Sequence, residues 1–162
     1  MSNTNKNFTL RDGANKSPWQ QSAGKDMDQQ EFGALEGNKI YDVLVVGAGI
    51  TGITAALLLQ RSGLSCLIAE AQQPGFGTTG GTSAHLNTFF DATYPEVEND
   101  FGKDAAKLLA QGGKEAFSMI QAFVKELDID CGLEDKSAWL YAESEKESKQ
   151  LQKILEASKK WT

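Results

Sequence analysis

Several things are scarce in this chain, and each scarcity removes a class of function. Cysteine occurs twice, at Cys66 and Cys131, and histidine once, at His85. These isolated residues have no spacing that fits a metal site, a disulfide framework or a redox pair. No apolar run reaches about 18 residues, so no membrane-spanning helix is expected. The first twenty residues hold no apolar core of a secretory signal, which fits a reducing cytoplasm. Basic residues are outnumbered: 16 Lys and Arg face 22 Asp and Glu, for a net charge of −6 and a pI near 4.8. With no basic face to neutralise phosphates, a nucleic-acid partner is excluded.

What remains is globular composition. The 162 residues are 40% hydrophobic and 23% charged, enough for one ordinary domain with a sizeable core. The informative stretch is Tyr41 to Glu70. Tyr41–Val46 is a short apolar run rich in β-branched residues, as a buried parallel strand requires. Gly47-Ala48-Gly49-Ile50-Thr51-Gly52 follows directly, then a helix-forming run from Ile53 to Gln60 that Ser62-Gly63 stops. Leu64–Ala69 is a second apolar strand and Glu70 closes it, with Cys66 inside as a small core residue. Strand, helix and strand together make a βαβ unit.

Each residue type in the turn has a physical task. Gly47 turns the chain out of the strand, Gly49 lets a pyrophosphate approach the backbone, and Gly52 lets the helix pack on the strand. The helix start offers N–H groups and the positive end of its dipole to phosphates. Glu70 stands 18 residues after Gly52, close to the spacing of the acid that accepts hydrogen bonds from a ribose. A carboxylate there repels a 2′-phosphate and argues against NADP. The turn, the helix start and the acid with its neighbour (Gly47, Ala48, Gly49, Ile50, Thr51, Gly52, Glu70 and Ala71) are therefore the candidate dinucleotide-binding residues.

Residues 1–38 form a polar, irregular arm, partly disordered, in which Trp19 is either an anchor or a loose tail residue. Ala71–Leu86 carries four glycines among small hydroxyl residues and is expected to be a functional loop along a phosphate or flavin. His85 lies in it without a placed acid or nucleophile, so no catalytic role is assigned to it or to any other residue. A turn of helix is expected at Pro95–Glu98 and a break at Phe101-Gly102-Lys103. A long helix follows over Asp104–Leu127, kinked or split at Gly112-Gly113. Its apolar stripe runs from Ala105 and Leu108 to Leu127. Ile129–Cys131 and Ser137–Ala142 are strand candidates, and Glu145–Ser158 a charged helix with Leu151, Ile154 and Leu155 as its stripe.

On Tyr41–Glu70 and Gly75–Leu86 the chain resembles the FAD-dependent oxidoreductases of the D-amino-acid oxidase, glycine oxidase and sarcosine oxidase superfamily. It is most similar to a bacterial subgroup in which a C-terminal Rieske iron–sulfur domain follows the FAD domain. That likeness rests on Ser17-Pro18-Trp19-Gln20, on GTTGGTSAHL from Gly77 to Leu86, and on Phe101–Ala106. It covers about residues 11–162.

The resemblance implies a Rossmann-like FAD/NAD(P)-binding α/β fold with a parallel sheet. It implies FAD held at Gly47, Gly49 and Gly52 and by Glu70 at the ribose. Thr78 and Thr79 would lie along the pyrophosphate or ribityl chain, and Ser83, Ala84 and His85 near the isoalloxazine. It implies oxidation of an amine or amino acid by hydride transfer, with a small-molecule substrate. Relatives run several hundred residues. The chain is therefore expected to hold the arm (1–38), the N-terminal part of the FAD domain (39–130) and the start of an α+β substrate domain (131–162). It would lack the Rieske domain, the second glycine motif and the closing strand. The alternatives are an NAD-binding dehydrogenase fragment, which the Gly/Thr loop after Glu70 argues against, and a truncated, non-catalytic nucleotide-binding module.

Overall fold

The computed structural model describes residues 17–27, 32–34 and 37–161. The expected irregular character of residues 1–16 lies outside the described residues. The chain divides into two compact units, residues 1–84 and 85–162.

The first unit is built on β1 (Val43–Val46), α2 (Ile50–Arg61) and β2 (Cys66–Ala69), preceded by α1 (Pro18–Met27) and followed by the single-turn α3 (Thr78–Gly81). β1 and β2 pair in parallel, Val43 beside Cys66 through Val46 beside Ala69. The Asp42 carboxylate ties the start of the two strands, accepting from the Ser65 N–H at 2.8 Å and the Ser65 hydroxyl at 2.6 Å. These bonds hold the Asp42 carboxyl below its ordinary range. α2 ends as Ser62-Gly63 predicts. Gly63 takes φ +94°, its N–H reaches the Gln60 carbonyl, and the Leu64 N–H reaches the Leu59 carbonyl, which is the Schellman arrangement. α2 starts three residues earlier than expected, at Ile50, because the helix runs straight out of the glycine turn. Cys66 is half-buried rather than fully in the core. Leu44 and Val46 on β1 stay 59% and 81% exposed, so one face of this two-stranded sheet is apolar and open to solvent.

Three stretches depart from the sequence reading. Within the arm, Pro18–Met27 is helical, not irregular. The Ser17 hydroxyl accepts the Gln20 N–H at 3.2 Å and the Gln20 side chain accepts the Ser17 N–H at 3.0 Å, a reciprocal capping box with proline at the first helical position. Ile129–Cys131 is not a strand. The C-terminal cap of the long helix uses it: Asp128 is left-handed at φ +50°, and the Ile129 N–H bonds back to the Val124 carbonyl. Ser137–Ala142 also forms no strand; Trp139 is 86% exposed, and an unpaired segment has no ladder to hold it extended.

The second unit consists of α4 (Tyr94–Phe101), α5 (Lys103–Glu126) and α6 (Glu145–Trp161). α4 and α6 both start in capping boxes. Glu96 accepts from the Thr93 N–H and hydroxyl at 2.7 and 2.8 Å, and Glu147 accepts from the Ser144 N–H at 3.1 Å. Gly102, at φ +87°, separates α4 from α5. Tyr94, Ala110 and Ala157 form the centre, with Leu109 and Trp161 packed around them. Small residues dominate because they let helices approach closely; Ala106 is completely buried. Leu108 and Leu155, expected in apolar stripes, are exposed. α5 runs unbroken through Gly112-Gly113. A Cβ on Gly113 would meet the Phe90 ring at 2.9 Å, whereas one on Gly112 would meet nothing within 4 Å.

That contrast predicts opposite outcomes for two adjacent substitutions. Gly112→Ala adds helix propensity without a clash and is expected to stabilise the second unit by about 0.5–1 kcal/mol. Gly113→Ala should lose that gain against Phe90. Urea denaturation of the two variants followed by circular dichroism checks this, and equal stabilisation by both would contradict the packing.

Candidate dinucleotide-binding turn

The site is assembled where β1 hands over to α2. Gly47 adopts φ +101°, a conformation that glycine takes without strain, and its N–H bonds to the Ala69 carbonyl at 2.8 Å. The next residue, Ala48, is buried and tied from both sides. Its N–H donates to Glu70 Oε2 at 2.7 Å and its carbonyl accepts the Gly75 N–H at 2.9 Å. Gly52 packs directly under the turn, where a Cβ would come within 2.1 Å of the Gly47 carbonyl oxygen. The glycine at this position is thus a matter of contact, since backbone occupies the space.

Glu70 is the acceptor that closes the turn. Its other oxygen accepts the Gln72 N–H at 2.9 Å. The Ala48 bond first, and then the Gln72 bond, hold its carboxyl below the ordinary glutamate range, so it is ionised at neutral pH. Each carboxylate oxygen keeps a further lone pair for a hydroxyl donor.

Thr79 joins the site from α3. Its Oγ1 accepts the Ile50 N–H, the first of α2, at 3.0 Å. A Cβ on Gly49 would stand 3.2 Å from the same oxygen. Ile53 makes the first bond inside α2, to the Gly49 carbonyl at 3.0 Å, so the donors of the preceding residues point out of the helix start. With its oxygen engaged by Ile50, the Thr79 hydroxyl has its proton to donate outward.

The structure therefore brings together Gly47, Ala48, Gly49, Ile50, Gly52, Glu70 and Thr79. Thr51 is exposed on the first turn of α2, Ala71 directly follows Glu70, and Thr78 is exposed at the start of α3. Ser83 and Ala84 end the first unit, with Ala84 left-handed at φ +58°. His85 is exposed and opens the second unit. Among the described residues no cluster of His, Cys, Asp and Glu is arranged for a metal.

Sequence reasoning missed the support of the loop by α1. Trp19 Nε1 donates to the Thr82 carbonyl at 2.8 Å, Gln20 Nε2 to the Phe76 carbonyl at 3.4 Å, and the Ser17 hydroxyl to the Gly80 carbonyl. Trp19 is thereby an anchor, not a loose tail residue. The S-x-x-Q pattern of a capping box was the available signal.

The chain belongs to the DAO family of FAD-dependent oxidoreductases, whose family profile matches residues 42–162. A Bacillus subtilis protein named for a Rieske 2Fe-2S iron–sulfur centre, YhfW, is 36% identical over 118 residues, 73% of this chain and 23% of its own length. Gamma-glutamylputrescine oxidoreductase of Escherichia coli is 32% identical over 100 residues, 62% of this chain and 24% of that protein. Thioredoxin reductase of Listeria monocytogenes is 35% identical over 77 residues, 48% of this chain and 22% of its own. The chain thus spans about a quarter of the length of these curated relatives. No solved structure matches it.

The residues present fit the cofactor of this family, FAD. Outward N–H donors, a neutral hydroxyl and the positive end of α2 suit a pyrophosphate, and an ionised carboxylate suits a ribose diol.

Two predictions follow from the contacts. Gly52→Ala forces α2 away from β1 and is expected to cost about 1–3 kcal/mol, measured as a lowered urea midpoint. Because the Glu70 carboxyl is held low in the folded state, its stabilisation is complete above the unfolded value of about 4.3 and is lost as pH falls below it. Asp42 and Glu96, also held low, act in the same direction. Glu70→Gln should therefore flatten part of the acid-side decline in stability, read from urea midpoints across an acid pH series.

Proposed function

We propose that the chain is the FAD-binding portion of a flavin-dependent oxidoreductase that oxidises an amine or amino acid. The observation that carries this is the Glu70–Ala48 bond closing a glycine turn in which Thr79 meets the first N–H of α2. Family membership supports the cofactor, and the likeness to gamma-glutamylputrescine oxidoreductase supports an amine substrate. Bound FAD supplies acceptance of a hydride from the carbon that bears the amine.

The protein's own residues bind and orient. Gly47, Ala48, Gly49, Ile50, Thr51 and Gly52 carry the pyrophosphate at the helix start. Glu70, with Ala71, takes the adenosine ribose. Thr78 and Thr79 follow the pyrophosphate or ribityl chain, and Ser83, Ala84 and His85 approach the flavin ring. Residues 39–130 are the N-terminal part of the FAD domain and 131–162 begin the substrate domain, with a Rieske domain in longer relatives. The site of action is the cytoplasm; no helix among the described residues is long and apolar enough to cross a membrane.

Titration of the purified chain with FAD and, separately, with NAD tests the reading. FAD should be retained through desalting with its absorption band near ~450 nm, and Glu70→Ala should weaken it at least about tenfold. Binding of NAD with no affinity for FAD would overturn the assignment.

A further inference from the structure

We propose that helix α1 is a positioning strap for the cofactor turn. Through Ser17, Trp19 and Gln20 it holds the Phe76–Thr82 segment in the shape that sets Thr79 on the start of α2. The proposal rests on the FAD reading above and extends it to a part of the chain outside the βαβ unit.

The Phe76–Thr82 segment has little to hold it by itself. α3 is four residues long, two of them glycine. One turn of helix fixes many torsions for few hydrogen bonds, and glycine raises the entropy lost on ordering. Such a turn stays in place only if something outside it supplies bonds. α1 and its capping residue Ser17 supply three, each from a side-chain donor to a backbone carbonyl: Gln20 to Phe76 before α3, Ser17 to Gly80 within it, and Trp19 to Thr82 after it. The donors thus span the whole segment.

Packing enforces the same arrangement. Gly80 is buried, and a Cβ there would stand 2.2 Å from the Gly75 carbonyl oxygen and 2.6 Å from Gln20 Nε2. The Gln20 amide therefore lies directly against the loop backbone. Its position is set in turn by the capping box, because Gln20 Oε1 accepts the Ser17 N–H while its Nε2 faces the loop. The box that starts α1 also orients the amide that bonds the loop at Phe76.

On the far side of that segment, Thr79 accepts the Ile50 N–H, and Gly75, just before it, donates to Ala48. Ser17, Trp19 and Gln20 need not touch the cofactor. They act through the loop, keeping the Thr79 hydroxyl on the phosphate side of the turn.

The test uses the chain with Trp19→Phe and Gln20→Ala together, and a second form beginning at Lys39. The phenylalanine keeps an aromatic ring and removes only the donor. Hydrogen exchange without cofactor should speed up about tenfold across residues 76–82 in both forms, while the paired strands 43–46 and 66–69 keep their protection. FAD affinity by titration should fall about tenfold. Unchanged exchange at 76–82 overturns the strap. Faster exchange with FAD affinity unaltered overturns its role toward the cofactor. If the unaltered chain binds no FAD, the FAD reading fails, and the exchange result alone decides whether α1 holds the loop.

Discussion

The hydrogen bond from the Ala48 N–H to the Glu70 carboxylate is the constraint on which the first unit depends. It joins the turn after β1 to the end of β2, and the Gly47 bond to Ala69 runs beside it. A carboxylate accepts only, so it fixes which way the turn's amides face. With the Ala48 N–H directed at Glu70, the donors that follow it are left at the outer end of α2. The negative charge also sits near the positive end of the helix dipole, which favours both. One residue thus shapes the turn and keeps lone pairs free to accept a further hydroxyl.

Support then passes outward in layers. Thr79 meets the helix start, α3 carries Thr79, and α1 holds α3. The second unit follows a different logic. Alanines at 106, 110 and 157 let α4, α5 and α6 approach closely around Tyr94, while Phe101, Leu108 and Leu155 remain exposed. Among the described residues no large side chain is fully buried. Stability in that unit therefore leans on helix caps and small-residue contacts more than on large apolar burial.

The parts legible in the sequence were those whose cues are local. Gly47, Gly49 and Gly52, the Ser62-Gly63 stop and the apolar strand before them each act within a few residues, so the βαβ unit could be placed. The helices at 94–101, 103–126 and 145–161 were legible in outline from apolar spacing and proline. Other parts were not. Polar composition hid the capping box that makes Pro18–Met27 helical. Strand propensity at Ile129 lost to a helix cap, and at Trp139 it found no partner. Leu108 kept the right spacing but faces solvent, because periodicity marks a face without saying that anything covers it.

By itself the sequence determined the family, the glycine turn and the acid that belongs with it, since these follow from residue types at short, fixed separations. Only the tertiary structure decided that Glu70 closes the turn at Ala48, that Thr79 reaches the Ile50 N–H, and that Ser17, Trp19 and Gln20 hold the loop between. Those contacts join residues some 20 to 60 positions apart. Loop closure over such distances leaves no local pattern, and only packing selects which donor meets which acceptor.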